Sequence, residues 1–176
     1  IIMAYFLMIP DGTTGTNEWQ RSFGSASPEA AVQTDDDNSS YIFETRNGHE
    51  ITFTMANPSV AEESIDFDED VIVRPSVTAH YTNTSGTITM TQQITGTGII
   101  LAMQVNTIGV DDSYPTYNGV STTFKSVGTA WDYAGLENCQ VKLDCTGTPA
   151  FRKALRVSYV YVRVEYTEAA VAADNA

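Results

Sequence analysis

Leu155-Arg156-Val157-Ser158-Tyr159-Val160-Tyr161-Val162-Arg163-Val164-Glu165-Tyr166 is the stretch that decides the fold of this chain. It is made almost wholly of β-formers, neither Gly nor Pro interrupts it, and it reads in strict alternation. Val160, Val162 and Val164 point one way; Tyr159, Tyr161, Arg163 and Glu165 point the other. That pattern is a half-buried strand with an apolar floor and an amphipathic outer face. One strand cannot bury its floor alone, so the rest of the chain must supply both the sheet it pairs with and the sheet it packs on.

The upstream sequence is written in the same way. Ile1–Ile9 is an apolar run that reads as a buried first strand, with Met3 as a natural start, and Asp11–Trp19 follows as a turn-rich loop. Residues 20–34 read as an extended loop with room for a short strand at Ala30-Ala31-Val32. Asn47-Gly48, between Tyr41–Thr45 and Glu50–Met55, is a strong hairpin signal, because both residues tolerate the positive φ of a type I′ turn. Ile51, Phe53 and Met55 form the buried face of the return strand. Val71–Tyr81 is a long strand, in which Pro75 lacks a ladder donor and so belongs on an edge or at a bulge. Further strands follow at Thr87–Gln92, Ile99–Val105, Val120–Val127 and Gln140–Cys145, with an exposed loop at 109–119 and a short helical turn near Trp131–Asn138. About nine or ten short strands punctuated by Gly, Asn, Thr and Ser predict an all-β fold, an antiparallel β-sandwich of jelly-roll type, with a closed barrel as the alternative. Residues 1–168 form one domain, and the Ala-rich tail 169–176 is mobile unless a partner holds it.

The totals exclude several functions. A chain of 176 residues that is 42% hydrophobic can build a real core, and its net charge of −13 leaves only nine Lys and Arg. Nucleic-acid binding needs clustered cations to displace counterions, so no nucleic-acid partner is expected. An anionic membrane surface would repel the chain, and the opening apolar run is too short to span a bilayer and unlike a signal peptide, so no membrane association is expected. Cys139 and Cys145 lie on one strand with sulfurs roughly 20 Å apart, which is too far for a disulfide. They read as buried free thiols.

The residues offer little chemistry. His49 follows a hairpin tip and reads as exposed, while His80 shares a strand face with Thr78. Zinc-ligand spacing, a nucleophile elbow, a phosphate loop and a dinucleotide glycine motif are all missing, so neither enzyme activity nor a cofactor is expected. Asp35-Asp36-Asp37 and Asp66–Asp70 lack the spacing of a calcium loop and read as acidic turns. Trp19, Trp131, Tyr114 and Tyr117 could form a glycan platform, but core plugs or interface anchors are the simpler reading.

The order Leu7-Met8-Ile9-Pro10-Asp11-Gly12, Trp19, Asp35-Asp36-Asp37 with Ser39-Ser40-Tyr41-Ile42, Val71-Ile72-Val73-Arg74, Ala130-Trp131 and Arg156–Val162 resembles small all-β virion proteins of tailed bacteriophages. The resemblance spans nearly the whole chain, and its motifs are structural rather than catalytic. It implies a capsid cement or decoration protein on the outer surface of the head, with the major capsid protein as partner and self-association as a homotrimer. The opening strand (Tyr5, Phe6), the outer face of the last strand (Tyr159, Tyr161, Arg163) and the tail (Val171) are then the interface candidates. The alternative within the same resemblance is a tail- or head-fibre module that binds a host-surface glycan or receptor.

Overall fold

The computed structural model describes residues 3–35, 39–96, 99–110, 113–119, 122–123 and 131–171. The strands are β1 (Met3–Met8), β2 (Pro10–Asn17), β3 (Gln20–Arg21), β4 (Ile42–Glu44), β5 (Glu50–Met55), β6 (Ile72–Tyr81), β7 (Ile88–Gly96), β8 (Ile99–Ile108), β9 (Thr116–Asn118), β10 (Thr122–Thr123), β11 (Gln140–Cys145) and β12 (Leu155–Thr167). Helix α1 (Tyr133–Glu137) lies between β10 and β11, where the sequence suggests it. The Asp132 carboxylate caps it by accepting from the Gly135 N–H at 2.7 Å.

Two antiparallel sheets pack face to face as a β-sandwich. One has seven strands, β10-β6-β12-β4-β3 with β1 also on β12 and β9 also on β6; the other has five, β2-β5-β11-β7-β8. Four nested pairs define the topology: β4 with β12, β5 with β11, β6 with β9 and β10, and β7 with β8. This is one long antiparallel ribbon folded over on itself. Its closing pairs are β12 on β6 and β11 on β7, which makes it a jelly roll.

The valine floor of β12 lies where its alternation places it, with Val160, Val162 and Val164 fully buried. Phe53, Ile94 and Leu143 of the five-stranded sheet belong to the same buried core. Each such side chain contributes roughly 1.5–3 kcal/mol of burial. The alternation is not strict, however. The register shifts between Val157 and Tyr159, so Ser158 is an inserted bulge residue, and the inward positions change from Leu155 and Val157 to Val160, Val162 and Val164.

Several local readings are overturned by pairing. Asn47-Gly48 does not close a hairpin: β4 and β5 lie in different sheets, and the turn is a corner of the sandwich in which Gly48 takes φ 78° and donates to the Cys145 carbonyl. The segment after Pro10 is strand β2 on β5, not a loop, with two register shifts along it. Thr116–Asn118, within the expected exposed loop, is strand β9 on β6. Ala30-Ala31-Val32 forms turns, with Ala31 and Val32 fully buried. The Val32 carbonyl accepts from the Val160 N–H, in the gap between β1 and β4 along one edge of β12. Of the expected strand Val120–Val127, only Thr122–Thr123 lies within the described residues.

Pro75 is not on an edge but at the other place the sequence offered, a bulge: Ser76 faces Asn118 and Val73 faces Thr122, so the outer strand holds one extra residue there. Pro75 sits inside β6, with β12 on one side and β9 and β10 on the other. Its carbonyl accepts from Gly119 N–H at 2.8 Å. In a strand the N and C=O of one residue face the same neighbour, so the missing Pro75 donor faces the outer strand. That strand breaks there into β9 and β10.

Candidate functional site

The outer face of β12 and the strand β1 beside it hold most of the interface candidates that the sequence singles out. β1 pairs antiparallel with β12, Leu7 opposite Arg163 and Tyr5 opposite Glu165. Its inward residues Phe6 and Met8 enter the core. Its outward residues are also apolar: Met3 is 55% exposed, Tyr5 58% and Leu7 38%. The expectation of a buried first strand therefore holds for one face only. Among the described residues no strand pairs with the other edge of β1.

The neighbouring outer face of β12 is built from stacked and paired groups. The Arg163 guanidinium lies over the Tyr5 ring, 3.8 Å from its centroid, and its Nε donates to Glu165 Oε1 at 2.8 Å. The Glu165 bond raises the Arg163 pKa, so the guanidinium stays charged. An exposed cation–π contact contributes about 0.5–1 kcal/mol. A surface ion pair contributes up to about 1 kcal/mol. Tyr159 and Tyr161 lie with ring centroids 4.9 Å apart, both half-buried. Burial first, then the Tyr161 and Asp35 charges, raise the Tyr159 pKa, which keeps its phenol neutral.

Tyr5, Tyr159, Tyr161 and Arg163 are thus brought together on one face. Phe6 is not among them: it is buried and packs against Tyr166 with centroids 5.7 Å apart, because it alternates with Tyr5. Val171 is exposed beyond the end of β12, and residues 172–176 of the tail lie outside the described residues. Met3 and Leu7 join the face without having been singled out. Their signal was the period of two within the opening apolar run.

The other candidates are absorbed by the structure. Trp19 and Trp131 are buried, and Trp19 Nε1 donates to the His49 carbonyl at 3.0 Å. The Tyr117 hydroxyl accepts from the Gly109 N–H, and Tyr114 is tilted against His80 with centroids 4.7 Å apart. His49 is half-buried rather than freely exposed, with Nδ1 3.1 Å from Glu44 Oε2. Glu44 is itself only 1% exposed, and its Oε1 accepts from the N–H groups of Thr45 and Arg46. Cys139 and Cys145 are buried free thiols. Burial pushes the Cys145 thiol up to about 11, and Cys139 higher still.

The Asp66 carboxylate accepts from the Asp68 N–H, closing an acidic turn. Asp36 and Asp37 of the other acidic run lie outside the described residues. Among the described residues no group of three or more His, Cys, Asp or Glu could hold a metal ion, and no helix is long and apolar enough to cross a membrane.

No family model and no curated protein matches the chain. Among solved structures it is similar to a ruminal endo-β-1,4-mannanase, with 10% identity and a TM-score of 0.42, over 96% of this chain and 26% of that one. It is similar to an arabinose-bound α-L-arabinofuranosidase at 9% identity and a TM-score of 0.39, over 89% of this chain and 26% of that one. The Clostridium thermocellum endo-1,4-β-D-xylanase complexed with xylohexaose gives 11% and 0.42, over 96% of this chain and 30% of that one. The chain spans between about a quarter and a third of these proteins, and at such scores the likeness carries no argument about function.

Proposed function

We propose that this chain is a non-enzymatic structural protein of a tailed-bacteriophage virion, a capsid cement protein on the outer surface of the head. In that role it bridges neighbouring major capsid proteins and self-associates as a homotrimer. The observation that carries the reading is β1, apolar on both faces, with Met3, Tyr5 and Leu7 facing water and one edge that no described strand pairs. A strand written for burial on both sides suits a partner that covers the second side. Strand addition along that edge would supply main-chain hydrogen bonds, while Met3, Tyr5 and Leu7 would supply side-chain contact. Tyr161 and the Arg163–Tyr5 pair beside them suit an interface, where Tyr and Arg are enriched. Packaged DNA pushes capsomers apart, and a rigid clamp across their seam adds interface free energy against that force.

The fibre-module alternative needs an exposed aromatic platform. Trp19 and Trp131 are buried, which removes its best components.

The test is stoichiometry in purified virions by quantitative mass spectrometry, followed by capsid binding of Leu7→Asp with Tyr5→Ser. A simple ratio to the major capsid protein is expected, with lost binding while the variant still unfolds cooperatively, its melting temperature lowered by only a few degrees through the lost Tyr5–Arg163 contact. A copy number in the tens or fewer would move the protein to the tail, and absence from virions would end the phage reading.

A further inference from the structure

The start of β12 reverses the sign of the molecule. The chain carries 22 Asp and Glu against nine Lys and Arg. Three of those nine cations, Arg152, Lys153 and Arg156, line one cavity of about 230 Å³ with Tyr41, Phe43, Thr45, Thr82 and Ala154, and no carboxylate lines it. The Arg156 guanidinium lies over the Tyr41 ring at 4.4 Å, and the Tyr41 ring is tilted against Phe43 at 6.1 Å. No described carboxylate forms an ion pair with any of the three cations, whereas Lys142 and Arg163 both have one. The segment is held in place: the Ala154 N–H donates to Thr82 Oγ1, and the Ala150 N–H to the Tyr81 hydroxyl. Phe151 stands exposed at the rim, its ring 5.0 Å from the Arg152 guanidinium.

The opposite end of the same strand carries the complement. Glu62, Glu63, Asp66, Asp68, Glu69 and Asp70 lie on one loop, all exposed except the half-buried Asp66. The loop is anchored beyond the end of β12 by the Asp66 N–H on the Thr167 carbonyl, by the bridge of Ile65 to Glu168, and by burial of Ile65. From Arg156 to Thr167 an extended strand runs roughly 36 Å. The loop and the pocket therefore cannot meet within one chain, and several Debye lengths separate them at physiological salt.

We propose that the Arg152–Lys153–Arg156 pocket receives the 62–70 loop of a second copy, head to tail. Such a contact is heterologous. It closes into a ring where the rotation permits and otherwise extends as a filament. The proposal does not rest on the virion reading, and it uses residues other than the β1 face.

The test is sedimentation velocity on the purified chain, over a concentration series at about 0.02 M and about 0.5 M salt, which move the Debye length from roughly 20 Å to roughly 4 Å. Expected is self-association at low salt that weakens at least about tenfold at high salt. Arg152→Glu with Lys153→Glu should abolish it, and so should Asp68→Lys with Glu69→Lys. Each variant should melt within a few degrees of the wild type, since none of the four exchanged side chains is buried. Mixing the two variants should restore association, because each retains the half that the other has inverted. A monomeric wild-type chain at low salt overturns the proposal, as does a mixture that fails to associate. Association that survives both charge reversals but is lost in Leu7→Asp also overturns it and assigns self-assembly to β1. Saturable binding of inorganic phosphate to a monomeric chain, at constant ionic strength, would make the pocket a small-anion site instead.

Discussion

Gly119 and Pro75 should be coupled in a double-mutant cycle. A Cβ on Gly119 would lie 2.5 Å from Pro75 Cγ, 3.2 Å from its Cδ and 3.3 Å from its carbonyl oxygen. Ordinary carbon contacts begin near ~3.5 Å, and the buried proline ring has no alternative rotamer to retreat into. Gly119→Ala should therefore cost about 1–3 kcal/mol as overpacking, and it should strain the Gly119 N–H bond to the Pro75 carbonyl. Pro75→Ala alone loses about two methylenes of burial, about 1.6 kcal/mol, and about 0.4–1 kcal/mol more through a freer unfolded chain. In the double variant Cγ and Cδ are gone and only the carbonyl contact remains. The pair should thus be about 1–2 kcal/mol more stable than the sum of the singles, a melting-temperature difference of roughly 2–8 °C. Urea unfolding with an unchanged m-value measures this. Additivity within about 0.3 kcal/mol would refute the argument that the proline ring sits against this turn and breaks the outer strand into β9 and β10.

Three further outcomes are expected. Glu44→Ala should cost about 2–4 kcal/mol in urea unfolding, because it leaves the Thr45 and Arg46 N–H groups without their acceptor, while Glu44→Gln keeps one acceptor oxygen and should cost less; equal losses would argue against the acceptor role. Burial above all raises the Asp144 pKa, Glu50 and Glu18 add to it, and Lys142 opposes them. The folded state then holds that proton more tightly than the unfolded state, so stability falls as pH rises from the ordinary value of 3.8 through the raised one and is level beyond it. Asp144→Asn should remove that fall and raise the melting temperature at neutral pH, and identical pH profiles for the two proteins would count against the sign. Cys139 and Cys145 should resist an aromatic disulfide reagent at mildly alkaline pH and both react in denaturant; rapid native labelling of either would contradict their burial.

The proposed site was legible in part. Tyr159, Tyr161 and Arg163 stood out because a strand turns alternate residues to alternate faces, and Tyr5 because it lies in the apolar opening strand. Phe6 was drawn in with them, although the same rule turns it inward. The contact of Arg163 with Tyr5 was invisible, since it needs β1 beside β12 and the two lie near opposite ends of the chain. The cationic pocket was equally hidden: Phe43 comes from β4 and Tyr41 from just before it, Thr82 from just past the end of β6 and Arg152 from the loop before β12.

The sequence by itself determined the all-β class, the valine floor of the last strand, the cysteine strand and the short helix after Trp131. These follow from side-chain alternation and turn chemistry, which act over a few residues. Only the tertiary structure decided that Asn47-Gly48 is a corner between sheets and that Pro10–Asn17 is a strand. It also decided that Ser158 bulges, that Pro75 lies inside a sheet and that one apolar face of β1 stays in water. Strand pairing joins residues far apart in the chain, and its choice depends on which partners remain to be satisfied, so a local pattern shows that a residue is extended without showing which neighbour it meets.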